Sequence, residues 1–318
     1  MHIPDGVLPG TTCAAAAVVS GAAVAYATVR VREDLGERSA PLLGVLAACV
    51  FAIQMLNFPI SIGVSGHPLG AMLAAAVVGP WGGIVVMTVV LVVQALVFQD
   101  GGLLALGANV LNVAVLGCLV GYAVMDVVRR LLRGRAAVTA GVALGAWCSI
   151  FVGAVACSLE LATRPDLRLT QVLGPMAVLH AVIGVAEALV TGLAIHYLSV
   201  LRPDLVYGTA HSQMRIAVFR VVMVGLGIAA VVVTVLAPFA SEWPDALEST
   251  LDRVGVLGGE VKPLIPAPMP DYSAGLFENA LLGGAVAALS GVVLTFVVAA
   301  ALAYKSKRGS APAEATHE

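Results

Sequence analysis

The chain alternates long apolar runs with short breaks of glycine, proline and charge. Runs at about 10–29, 41–58, 69–79, 82–98, 103–127, 137–158, 172–200, 216–238 and 280–303 read as helices. Most are long enough to cross a bilayer, for which roughly 20 apolar residues suffice. The short alternating segments of a membrane β-barrel are not seen. The pattern therefore predicts an all-α polytopic membrane protein, in which a seven-helix unit precedes a two-helix unit.

The stretch 69–98 decides the count. LGAMLAAAVV covers only about half a bilayer before Gly79 and Pro80 interrupt it. Basic residues are retained on the cytoplasmic side. If 69–98 is two segments, all seventeen Lys and Arg except Arg164, Arg168, Arg253 and Lys262 fall on that side, with the N-terminus outside and the C-terminus inside. A single segment would move the run RRLLRGR (129–135) to the wrong face. A short broken helix at membrane depth needs protein or a polar cavity around it, so an internal site is expected nearby.

Composition agrees with this picture. Hydrophobic residues make up 60% and charged residues 11%, and the mean hydropathy of +0.99 excludes a water-soluble globule. A net charge of −2 leaves no basic surface for nucleic acid, so lipid is the expected surroundings. The five cysteines lie in or beside apolar runs and are odd in number, which gives no disulfide framework. The start, MHIPDGVLPG, lacks the positive region and cleavage site of a signal peptide, so residue 1 is expected to be the mature end. RPDLVYGTAHSQMR marks a boundary between units at 1–205 and 216–304. The proline-rich, acidic stretch 239–279 is expected to be an extracytoplasmic loop with little regular structure, and 305–318 a disordered cytoplasmic tail.

The first two residues carry candidate chemistry. The amine of Met1, the backbone amide of His2 and its imidazole Nδ1 can close a five- and a six-membered ring around a metal. Three nitrogens then occupy three corners of a square, an arrangement that suits nickel(II) or copper(II) and admits cobalt(II). His67, in SIGVSGHPLG, lies on the same predicted side and could fill the fourth corner. Either histidine taken alone is more often just a polar residue.

Polar residues inside the apolar runs form a second set. Glu187 sits in the middle of the seventh segment, where a carboxylate is costly, and shares a helix face with His180 and Gly184. Gln54, Asn57, Gln94, Asn109 and Asn112 mark an internal seam that either supports metal-binding loops or ties helices together. Asp5 is expected to shape the N-terminal loop; Asp100, in the QDGG turn, could attract cations from outside but reads more readily as a plain loop acid. His196, His211 and His317 are given no metal role. Small residues at four-residue spacing (Ala17 to Ala25, Gly44 to Ala52, Gly184 to Gly192) mark close helix packing.

MHIPDGVLP, the run from FAIQMLNFPISIGVSGHPLGAML to LNVAVLG, and HAVIGVAEALVTG together resemble CbiM and NikM, the metal-binding membrane components of energy-coupling factor (ECF) transporters. The resemblance covers about residues 1–200. It implies import of cobalt, for cobalamin biosynthesis, across a prokaryotic cytoplasmic membrane, with import of nickel as the alternative. The metal would be held by Met1, His2 and His67. Implied partners are a CbiQ/NikQ-like coupling membrane subunit and two CbiO/NikO-like ATPase subunits. A small-residue face docks the coupling subunit in such transporters, and Gly44 to Ala52 is the stripe chosen here. The last hundred residues resemble a PDGLE/CbiN-type accessory unit, with Ala246 where that motif has glycine. No GxxxxGK[ST] loop is present, so ATP hydrolysis falls to partners. Two other classes were weighed. An ion-coupled secondary transporter would use Glu187 and the broken helix but lacks inverted repeats; an intramembrane metal-dependent hydrolase around His180 and Glu187 lacks HExxH.

Overall fold

The computed structural model describes residues 1–35, 39–208, 218–256 and 264–308. The helices are α1 (Gly10–Leu35), α2 (Ser39–Gln54), α3 (Ala71–Phe98), α4 (Leu106–Leu131), α5 (Arg135–Leu161), α6 (Leu169–Leu201), α7 (Phe219–Phe239), the short α8 (Ala246–Arg253) and α9 (Ala280–Arg308). Among the described residues, seven of these are long and apolar enough to cross a membrane, and α2 is apolar but shorter. His211, His317 and most of the expected tail lie outside the described residues.

The helix α3 is two arms. At Gly79 the backbone leaves the helical region (φ 77°, ψ 168°), a conformation open to glycine, and Pro80 begins the second arm. A Cβ added at Gly83 would lie 3.0 Å from the Ala75 nitrogen. In a straight helix those residues would stand about 12 Å apart along the axis. The chain therefore doubles back, and the split expected within 69–98 is present. Gln54 links the two mouths of this hairpin: its Nε2 donates to the Leu69 carbonyl at 2.6 Å, and its Oε1 accepts from Gln94 Nε2 at 2.7 Å.

The hairpin defines two ends of the molecule. Its mouths lie at the proximal end, with residue 1. Its tip lies at the distal end, where the Tyr207 amide donates to the Ala76 carbonyl at 2.9 Å and the Tyr207 ring packs over Gly79. Arg129, at the distal end of α4, donates to the Gly208 carbonyl at 2.9 Å. The hairpin is sheathed by the other helices, whereas α7 turns most of its surface outward.

Two expectations need correction. Helix α2 ends at Gln54 rather than near 58, because Asn57 and Pro59 interrupt it; a residue before proline is pushed out of the helical region. The chain instead makes a small antiparallel hairpin, β1 (Phe58–Ser61) with β2 (Val64–Gly66), turning at Gly63. The Gly44 to Ala52 stripe is covered by α9 of this same chain: a Cβ at Gly44 would lie 2.9 Å from the Phe296 ring, and Phe51 fills the notch at Gly291. The stripe predicts close packing, but its partner is the accessory helix. Gly184 likewise receives the Trp147 ring of α5.

Candidate functional site

Residues 1–9 do not continue α1 but plug into the proximal end of the bundle. Met1, His2 and Ile3 are all buried. Asn109 of α4 holds the Ile3 backbone from both sides, its Oδ1 accepting from the Ile3 amide at 2.8 Å and its Nδ2 donating to the carbonyl at 3.1 Å. The Gly102 amide donates to that same carbonyl at 2.9 Å. Asp5 accepts from the Leu103 and Leu104 amides at 3.1 and 2.7 Å, satisfying donors just ahead of α4. A side chain at position 102 would have no room, since its Cβ would fall 2.2 Å from Asp5 Oδ1. The Met1 side chain lies in the notch that Gly153 leaves on α5.

His67 sits between β2 and the first arm of α3. Its Nδ1 lies 3.1 Å from the Pro68 carbonyl, which only accepts, so Nδ1 carries the hydrogen and Nε2 keeps its lone pair. Glu187 fixes the next two residues: its carboxylate accepts from the Leu69 amide at 2.8 Å and the Gly70 amide at 2.9 Å. These amides open a helix that begins inside the protein, away from water that could satisfy them. Glu187 is thus the buried cap of the re-entrant arm. The His2 and His67 rings lie nearly parallel, with centroids 5.5 Å apart. A small cavity beside them is lined by Met1, His67, His180 and Asp245, among others.

The accessory unit reaches all three of these segments. Asp245 Oδ2 accepts from the Met1 ammonium at 2.7 Å. Ser65, two residues before His67, donates from its amide to the Pro244 carbonyl at 2.9 Å and from its hydroxyl to the Trp243 carbonyl at 2.6 Å. The Tyr272 hydroxyl donates to Asp100 Oδ2, and Asp100 Oδ1 accepts from His2 Nδ1 at 2.8 Å. Local sequence accounts for Asp245: in PDALE it is the N-cap of α8, accepting from the Glu248 amide at 2.8 Å while Glu248 reaches back to the Asp245 amide at 2.9 Å. Ala246 fits this capping box as the first helical residue, so the turn does not need the glycine of the motif.

Charge follows from these contacts. Burial alone would lower the Met1 ammonium's pKa, but Asp245 outweighs it and holds that pKa above its ordinary value. Burial would raise Asp245; the ammonium more than reverses this and holds it below the carboxylate range. Asp100 is held down in the same way, against burial, by His2 and Tyr272. His67 is pushed down to about 3 by burial, the nearby ammonium and His2, so it stays neutral, the form that binds metals.

Of the residues singled out from the sequence, Met1, His2, His67, Asp5, Gln54, Gln94, Asn109, His180 and Glu187 gather at or around this point. Asn112 serves elsewhere, donating to Glu160 at 2.6 Å. Asn57 contributes its backbone carbonyl, which accepts from the Ser241 amide at 2.9 Å, while its side-chain oxygen is buried without a partner. The sequence marks neither Asp245 nor Tyr272 as a site residue, and Asp100 reads there as a loop acid. Only the Asp-x-x-Glu capping signal hinted at one of them.

Comparison with known proteins identifies the family. The family model described as the cobalt uptake substrate-specific transmembrane region, CbiM, matches residues 2–205, and the PDGLE domain matches 219–308. A protein of Rhodobacter capsulatus named as a fused nickel transport protein, NikMN, is 32% identical over 92% of this chain and 94% of its own. A relative from Archaeoglobus fulgidus with a name of the same kind is 34% identical over 95% of this chain and 98% of its own. The crystal structure of a transition metal transporter, 33% identical, superposes with a TM-score of 0.58 over 63% of this chain and 93% of that one. The chain therefore belongs to the CbiM family, carries a PDGLE domain in the same polypeptide, and is a multi-pass membrane component of a cobalt or nickel transporter rather than an enzyme.

Proposed function

We propose that the chain is the substrate-capture component of an ECF importer and takes its metal from outside a prokaryotic cytoplasmic membrane. The donors are the Met1 amine, the His2 amide and Nδ1, and the His67 imidazole. Residues 1–205 form the capture unit and 216–304 the accessory unit. A coupling membrane subunit and two ATPase subunits supply energy. The carrying observation is that the two imidazoles lie 5.5 Å apart beside the buried N-terminal amine. Two imidazoles at neighbouring corners of a square, with metal–nitrogen bonds of about 2 Å, have ring centres about 4.5 Å apart, so the rings must approach by about 1 Å while His2 Nδ1 turns from Asp100 toward the metal.

Nickel(II) is the favoured substrate, because two relatives that match 92% and 95% of this chain are named for nickel transport, while one that matches 90% of it at lower identity is named for cobalt. Cobalt(II) is the second reading, supported by the description of the matching family. A planar nitrogen cage disfavours magnesium and calcium, which prefer oxygen. The test is metal analysis of purified protein in which the Met1 amine is acetylated. Loss of bound metal is expected, because an acetylated nitrogen has no lone pair to give and the five-membered ring with the His2 amide cannot form. Unchanged occupancy would defeat the donor set.

A further inference from the structure

We infer that Tyr272 of the accessory unit is a positioning residue for metal capture, holding His2 through Asp100 in the metal-free arrangement and letting the chelate close when it lets go. This inference rests on the donor set proposed above, in which His2 Nδ1 is a ligand.

The two oxygens of Asp100 are divided between the units. One accepts from His2 Nδ1 at 2.8 Å and the other from the Tyr272 hydroxyl. A ring nitrogen that gives its hydrogen to a carboxylate has no lone pair for a metal, so the contact with Asp100 and the chelate exclude each other. Whatever fixes Asp100 therefore governs how readily His2 becomes a ligand. Tyr272 does this from a braced position: its ring stacks on Phe98 at 4.7 Å, and the Met269 amide of the same turn donates to the Val97 carbonyl at 3.0 Å. Burial keeps its hydroxyl protonated, hence a donor.

Two further features mark the arrangement as one of two states. Asp271 and Tyr272 are consecutive non-glycine residues with left-handed backbones, φ 50° and 55°. Such strain persists only while surrounding contacts enforce it, and it relaxes when the turn comes free. On the other side of the contact, His2 Nε2 is buried with no hydrogen-bond partner among the described residues. The ring is thus held on one edge only, which lowers the barrier to turning it toward His67.

The test follows nickel binding to the full-length protein by stopped-flow absorbance of a planar nickel–nitrogen centre. It compares wild type, Tyr272→Phe, Asp100→Ala and the protein with its Met1 amine acetylated. Phenylalanine keeps the ring stack and removes only the hydroxyl. The expected result is an association rate raised about tenfold in Tyr272→Phe, as loss of one hydrogen bond to a charged acceptor implies. The final spectrum should be unchanged and the dissociation rate much less affected. Asp100→Ala should accelerate binding at least as much, which keeps the test decisive if the tyrosine variant folds poorly. An unchanged or slower association rate in both variants overturns the positioning role. A wild-type spectrum from the Met1-acetylated protein overturns the donor set instead, and the role of Tyr272 with it.

Discussion

Glu187 offers the sharpest test of how the site is built. Its carboxylate is the only acceptor, among the described residues, for two buried amides, those of Leu69 and Gly70, which lead directly out of His67. A buried amide left without a partner costs about 1–3 kcal/mol. Glu187→Ala should therefore destabilise the protein by about 2–6 kcal/mol. Glu187→Gln keeps one oxygen but turns an NH2 group toward the other amide, and should cost roughly half as much. The loss falls on the loop that places His67, so nickel affinity should fall about tenfold or more in the glutamine variant and further in the alanine one. Thermal melting in detergent and titration calorimetry on the three proteins provide the readout. If Glu187→Ala melts and binds like wild type, the carboxylate is not what holds the re-entrant arm. If capture stays intact while proton-coupled uptake is lost, Glu187 serves ion coupling instead, as in a secondary transporter.

Three other outcomes follow from the same geometry. Chelation must remove the proton from the Met1 ammonium and from the His2 amide, while His67 is already neutral, so nickel affinity should rise with pH at a slope of about two protons per metal. Because Asp245 holds the ammonium's pKa up, Asp245→Asn should shift this rise to lower pH; a flat calorimetric pH profile would count against the cage. Gly79→Ala should destabilise the protein by about 1–2 kcal/mol from left-handed strain, plus a clash with the Tyr207 ring at 2.8 Å. Tyr207→Ala in the same background should relieve only the clash, as read by melting temperature. Gly102→Ala drives a Cβ into Asp5 and should weaken nickel binding measured by calorimetry more than it lowers the melting temperature, because the damage is local to the N-terminal loop.

Much of this was legible in the sequence, for identifiable reasons. Gly79 and Pro80 announce a break that no continuous helix tolerates, and the structure has the chain doubling back there. Asn109, Gln54, Gln94 and Glu187 stood out because a polar group in an apolar run demands a partner. The partners themselves were not legible. Asp245 lies 244 positions from Met1 along the chain, and an acid in a loop has the same pattern whether it faces water or a buried ammonium. Tyr272 carries no such signal for the same reason, and Asp100 reads as a plain loop acid although it pairs with His2. The Gly44 stripe shows the converse limit: spacing reveals that a helix approaches closely, but not that the approaching helix is α9 of the same chain.

The turn at Gly79 also decides where the far half of the polypeptide emerges. Because α3 goes in and comes out again, it adds an even number of traverses, and α4 to α7 then deliver residues 240–256 to the end where the chain began. Were those 28 residues one straight rod, every later helix would run the other way, and Asp245 would emerge a full membrane thickness from Met1. A single glycine–proline bend is thus what allows the first and second halves of one gene product to meet at a shared point.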